Sequence, residues 1–213
     1  MDMLLPESSH EADREGDGFI RGLTVGTVTD NRDPNGLARV RVRFPWQPEG
    51  QESYWARLAT PMAMANQGIY FLPEIGDEVL VGFELGDPTH PCVIGSLWNG
   101  SSMPPDSNDD GNNDPRLIRT RTDSELRFFD GDKPSIELKL ADGKHLLMDD
   151  NGITLEDGQG NTMKIETSSG AITIQSTGQL KLKSQSVSIE AGASMEIKAA
   201  GTLTVKGALV QIN

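Results

Sequence analysis

In the distal half of the chain, apolar residues recur in pairs two positions apart. The pairs are Ile153/Leu155, Met163/Ile165, Ile172/Ile174, Leu180/Leu182, Val187/Ile189, Met195/Ile197, Leu203/Val205 and Val210/Ile212. Glycines such as Gly152, Gly158, Gly170, Gly178, Gly192, Gly201 and Gly207 punctuate the series, and the remaining positions are mostly Thr, Lys, Glu, Gln and Ser. Each unit predicts a short strand with two apolar side chains on one face, followed by a tight corner. Burying two aliphatic side chains does not offset the entropy of ordering a repeat of about eight residues, so neighbours must supply the rest. A flat sheet made by one chain leaves the apolar face wet. Wrapping that face around an axis, as in a β-helix, removes it from water. One chain is too thin for this, since a single-chain coil needs roughly 18 or more residues. Three chains, each forming one side of a triangular prism, close it. The pattern therefore predicts a homotrimer whose shared core comprises Ile153, Leu155, Met163, Ile165, Ile172, Ile174, Leu180, Leu182, Val187, Ile189, Met195, Ile197, Leu203 and Val205. At about 4.7 Å per strand the prism runs for roughly 40 Å.

Other uses of the same pattern fit less well. A membrane β-barrel needs strands of about 9–11 residues. A calcium-binding solenoid of Gly-Gly-x-Gly-x-Asp units needs aspartates, and none follows residue 170. Regular glycine corners favour a folded solenoid over amyloid-like stacking.

Residues 19–100 carry a different pattern. Strands are predicted at Leu23–Val28, Leu37–Phe44, Tyr54–Ala59, Glu78–Glu84 and Cys92–Trp98, with a possible helical turn in PMAMANQG (61–68). In ARVRVRF, Val40, Val42 and Phe44 share one face and Arg39, Arg41 and Arg43 the other, the alternation of a half-buried strand. Asp33-Pro34-Asn35-Gly36 ahead of it is turn chemistry. Five short strands in this length fit a partly open barrel of the OB type. The expected fold class is all-β: an N-terminal OB-fold barrel followed by a trimeric, intertwined β-helix needle. The expected divisions are an arm at 1–18, the OB domain at 19–100, a linker at 101–115 and the spike domain at 116–213.

Composition sharpens the division. Every arginine lies at or before Arg127, every lysine at or after Lys133, and every aromatic residue at or before Phe129. The chain of 213 residues carries a net charge of −13, with acids concentrated in the first 18 residues and in SSMPPDSNDDGNNDP (101–115). Such acidity argues against nucleic-acid binding, which runs on clustered Lys and Arg. One cysteine excludes a disulfide framework. The amino-terminal stretch lacks a basic region and a long apolar run, so no secretory signal is expected.

Several segments resemble a known family: GLARVRVRFPW (36–46), SYWARLATPMA (53–63), GIYFLPEIGDEVLVGFELGDPTHPCVIGSLWNG (68–100) and IRTRTDSELRFFD (118–130). They are similar to the spike proteins of contractile injection machines, namely the gpV-like baseplate proteins of contractile-tailed phages and tailocins and the C-terminal half of type VI secretion VgrG proteins. The resemblance implies an OB collar and a trimeric needle that caps the tail tube and punctures the target envelope. It further implies a baseplate hub protein at the OB end, a PAAR-type tip protein at the other, transient contact with the target outer membrane, and a place in the tail baseplate of a particle assembled in the bacterial cytoplasm. The large hub portion of a VgrG does not precede the barrel in this sequence, and no lysozyme domain separates barrel from needle. Some short phage spikes end in a His-x-His iron site; GTLTVKGALVQIN (201–213) has no histidine, so no metal and no cofactor is expected. Val210, Ile212 and Asn213 are the expected docking surface for the tip protein.

No catalytic constellation is expected. His10, His90 and His145 are scattered, Cys92 sits in an apolar strand as a buried thiol, and DDNG (149–152) with Asp157 is foremost turn chemistry rather than a calcium site. Glu74 and Asp77 form a pair of acids in a loop. Two rival functions follow from these features: an OB module that binds nucleic acid or glycan, and an envelope-glycan-degrading enzyme that uses Glu74 or Asp77.

Overall fold

The computed structural model describes residues 18–212, so the arm lies outside the described residues apart from Gly18. The chain divides into two compact units between Asp109 and Asp110. It is an all-β chain. Among the described residues the one helical element is a three-residue 3-10 turn, Glu84–Gly86.

The first unit is built on β1 (Leu23–Asp30), β2 (Arg41–Arg43), β3 (Arg57–Leu58), β6 (Glu78–Phe83) and β7 (Pro91–Leu97), in the spatial order β2-β1-β6-β7-β3. β3 pairs with β7 in parallel and the other neighbours are antiparallel. The two flanks of this sheet meet where Val40 and Ala56 exchange both backbone hydrogen bonds, at 3.0 and 2.7 Å. That contact curls the sheet into a half-barrel. The inward faces supply one core: Val28, Val40, Val42, Phe44, Ala56, Val79, Val81 and Val93 are all buried. The alternation read from ARVRVRF holds, with Val40, Val42 and Phe44 inside.

Two expectations are corrected in this unit. Residues 61–68 form no helical turn but a small hairpin, β4 (Ala63–Met64) against β5 (Gln67–Gly68), turned through Asn66 at φ 58°. Cys92 is half-buried rather than buried, because it alternates with the inward Pro91 and Val93 along β7.

The second unit is a single antiparallel meander of seven strands: β8 (Pro115–Arg119), β9 (Glu125–Phe129), β10 (Ser135–Lys139), β11 (His145–Asp149), β12 (Gly152–Glu156), β13 (Thr162–Glu166) and β14 (Ile172–Gln175). The repeat starts earlier than the sequence suggested, since β9 to β11 obey the same two-residue rule. It also stops earlier. Between residue 176 and residue 212 no strand forms, and every residue there is exposed. Backbone donors in an extended segment need a strand alongside, and one chain offers none beyond β14.

Gly26 on β1 faces the tightest point of the first core. A Cβ there would lie 2.3 Å from Val42 Cγ1 and 3.0 Å from the Phe44 ring. Gly26→Ala is expected to cost about 1–3 kcal/mol through overpacking, read as a lower urea midpoint at unchanged slope. An unchanged midpoint would show that the Val42 side chain can give way.

Candidate functional site

The cross-strand registers of the second unit line up its apolar side chains in two unbroken columns on one face. One column runs Ile118, Leu126, Leu138, Leu146, Leu155, Met163, Ile174. The other runs Phe128, Ile136, Met148, Ile153, Ile165, Ile172. The opposite face carries, in the row between them, Leu117, Arg127, Glu137, Leu147, Thr154, Lys164 and Thr173, polar apart from the two leucines. Side-chain alternation along each strand makes this separation automatic once register is fixed.

Register is pinned by aspartates in the turns. Asp149 Oδ1 accepts from the backbone N–H of Asn151 at 2.9 Å and of Gly152 at 3.1 Å. Asp157 Oδ1 does the same for Gln159 at 2.8 Å and Asn161 at 3.0 Å. Hydrogen bonds from the Asn151 and Asn161 side chains, chief among several, hold these two carboxyls below the usual carboxylate range. At Gly152, φ is 140° and a Cβ would collide with the Ile165 carbonyl, so DDNG is a hairpin turn that only glycine can close. Of the acids weighed as calcium ligands, Asp149 and Asp157 are thus occupied in holding turns.

Burial in the second unit is inverted. Ten of the column residues that are exposed keep between 38% and 66% of their surface, while Glu137, Thr154 and Lys164 on the polar face are the more enclosed. Among the described residues, no hydrophobic side chain of this unit is buried. Contiguous apolar surface on this scale marks an interaction face. Six of the expected core residues, Ile153, Leu155, Met163, Ile165, Ile172 and Ile174, lie in the columns. The other eight, Leu180 through Val205, fall in the strandless stretch and are exposed. Val210 and Ile212 are exposed too, Ile212 at 91%, and Asn213 lies outside the described residues. Leu126/Phe128, Ile136/Leu138 and Leu146/Met148 escaped the sequence reading although they show the same spacing.

The remaining candidates are turn and strand residues. His90 Nδ1 lies 2.9 Å from Asp87 Oδ2 in an exposed turn, and His145 lies 4.0 Å from Glu156 on the sheet; His10 lies outside the described residues. Asp77 Oδ2 accepts the Glu74 backbone N–H at 2.9 Å, capping the turn before β6. Among the described residues no three His, Cys, Asp or Glu side chains gather into a metal site. On the arginine face, Arg39 makes a two-pronged pair with Asp33, both contacts at 2.8 Å. Arg41 bonds Glu52 at 3.1 Å and lies 5.0 Å above the Trp55 ring. Two of the three arginines are therefore neutralised within their own unit.

Residues 24–98 match the family model described as the Type VI secretion system/phage-baseplate injector OB domain. The half-barrel is that domain. Over 140 residues, 64% of the chain, the sequence is 30% identical to the type VI secretion system spike protein VgrG2a of Pseudomonas aeruginosa, of which it covers 16%. It is 41% identical over 71 residues, 32% of the chain, to VgrG4b of the same organism, covering 9% of it. Over 93 residues, 42% of the chain, it is 31% identical to the actin cross-linking toxin VgrG1 of Vibrio cholerae, covering 8% of it. The chain thus spans less than a fifth of the length of these relatives. Over these residues the chain is similar to the baseplate injector OB domain and to VgrG spike proteins, as the 68–100 segment suggested.

The Arg39 pair makes a pH test. The Asp33 side chain is 3% exposed, and the Arg39 hydrogen bonds, with help from backbone N–H groups, hold its carboxyl far below the usual range. A depressed carboxylate contributes stability in full above about pH 4 and loses it as pH falls toward its own lower value. Asp33→Asn is expected to lower the melting temperature at pH 6 and to narrow its gap to the native chain below pH 4. Melting curves that stay equally separated from pH 6 to pH 2 would contradict the pairing.

Proposed function

We propose that three copies of this chain form the central spike of a contractile injection machine, capping the tail tube and puncturing the target envelope when the sheath contracts. The observation that carries this reading is the pair of apolar columns: a continuous apolar face that the described residues of the second unit leave largely exposed. Three such faces turned toward a common axis give a dry prism. The residues from 176 onward then become strands, because each finds neighbours in the other two copies and pairs its backbone there. A prism tied together by interchain hydrogen bonds transmits axial force without bending, and its Thr, Lys and Glu exterior presents no sticky surface to the envelope. Two of the relatives named above, VgrG2a and VgrG4b, are type VI secretion system spike proteins, which supports the same role.

In this reading the chain is a mechanical part and no enzyme, takes no cofactor, and belongs to the tail baseplate of a phage, tailocin or secretion machine. The OB collar faces a hub protein. Val210, Ile212 and Asn213 form the blunt end on which a PAAR-type tip protein sits. The neutralised arginine face lends no support to a nucleic-acid-binding role.

Sedimentation of the native chain is expected to give three copies of 23.1 kDa. Ile165→Asp places three carboxylates in one apolar layer, where unpaired charge is not tolerated, and is expected to give monomers. Lys164→Asp, one residue along on the polar face, is expected to remain trimeric. A native monomer at micromolar concentration, or indifference to Ile165→Asp, would overturn the proposal.

A further inference from the structure

The first unit carries two uncovered apolar surfaces of its own. One is the outer face of its three central strands. Val79, Val81 and Val93 point into the core, so strand alternation turns Leu23, Val25, Leu80 and Cys92 outward. Ile94 joins them from the bulge in β7, where the pairing shifts between Leu80 and Val81. Leu23 Cδ2 and Ile94 Cδ1 both lie 3.3 Å from the place a Cβ would take on Gly82. The two side chains therefore close over that glycine as a ridge, and they stay 59% and 48% exposed. A sheet that is apolar on both faces calls for a cover on each.

The other surface is a groove of about 1070 Å³ beneath the β4–β5 hairpin. Its walls carry Tyr54, Met62, Met64, Ile69, Tyr70 and Phe71, all exposed. None of these belongs to the outer face. The groove is concave and its methionines are adaptable, which suits an aliphatic ridge. Along it Arg39 pairs with Asp33, Arg57 with Glu84 and His90 with Asp87, so an apolar occupant meets no free charge.

Symmetry selects the occupant. Three copies around a threefold axis meet head to tail, so each must present two different surfaces that fit each other. The first unit has two such surfaces, one convex and one concave, with no residue in common. Charge agrees: copies of a chain at −13 repel one another, and contact between them falls where free charge is lacking. Size agrees as well. Each surface is a handful of side chains, short of the roughly 800 Å² per partner that holds a free pair together. Such a contact belongs to copies already joined elsewhere, where a tether supplies effective concentrations in the millimolar range.

We infer that the ridge of Leu23 and Ile94 on one first unit seats in the groove beneath the β4–β5 hairpin of the next copy, against Met64 and Tyr70, and that three such contacts close a ring. The inference rests on the trimeric spike reading, which the columns of the second unit carry. Closed in this way, the three barrels form a collar that axial load does not splay.

Two measurements on the full chain test it. In a Cys92→Ala background, Ile94→Cys with Met64→Cys is treated with a short bismaleimide and is expected to give covalent trimers on denaturing electrophoresis. Either single-cysteine variant is expected to give no linked species. Untreated protein that sediments as three copies but yields no linked trimer, or links only within one chain, overturns the inference and leaves the spike proposal standing. Linked dimers from a single-cysteine variant also overturn it, since a surface would then meet its own copy. A monomer overturns both. In the second measurement, dilute peroxide is expected to oxidise Met64 about fivefold more slowly in the native chain than in Ile94→Asp, as resolved by peptide mass. Met103, as exposed as Met64 within one chain at 73% against 72%, is expected to oxidise equally in both. Equal rates at Met64 in a trimer contradict the seating.

Discussion

Water decides this structure. The second unit exposes two columns of apolar side chains on one face of a meander, and none of its own described residues buries them. Strands this short, with mostly polar residues between the apolar ones, do not stack a second layer, since no strand forms among the described residues distal to the sheet. The first unit solves the same problem internally: its sheet curls until Val40 meets Ala56, and eight small aliphatic and aromatic residues shut out solvent. One half of the protein therefore closes its own core, while the other leaves its apolar face in water, where burial would contribute stabilising free energy.

Order in the second unit depends on corners as much as on faces. A slip of one residue would throw each aliphatic side chain to the polar face. The aspartates at 149 and 157 prevent this by holding the first N–H groups of each turn, and Gly152 closes a corner that a Cβ would block. Such corners, repeated strand after strand, keep the columns straight. Straight columns are what three copies can share. Asp149 and Asp157, which look like ligands in the bare sequence, thus serve geometry, and the apolar pairs they align form one exposed face.

Much of this was legible in the sequence because period-2 alternation is a direct image of strand geometry. ARVRVRF gave its inward and outward residues correctly, and the DDNG corner was recognisable from residue types alone. The segment 68–100 announced its relatives. What escaped had physical reasons. The hairpin at 63–68 is two residues deep on each side, too short to show any period, and its alanines and methionines carry helical propensity that tertiary context overrode. The strands at 115–149 hid behind aromatic and charged residues, so their Leu126/Phe128 and Leu146/Met148 pairs did not look like the Ile- and Val-rich units that follow. The stretch from 180 to 205 was read as strands, yet one chain holds it without a ladder. A pattern of side chains specifies which face is dry, but it does not say whose backbone lies alongside.

That last point is open to a direct measurement: amide hydrogen exchange of the full chain across residues 179–212. A shared interior demands that these N–H groups be bonded to other copies, so they should exchange as slowly as those of β12 and β13. Exchange there at the rate of an unstructured peptide, while β12 and β13 remain protected, would mean that the distal segment finds no partner strands and that no common prism forms.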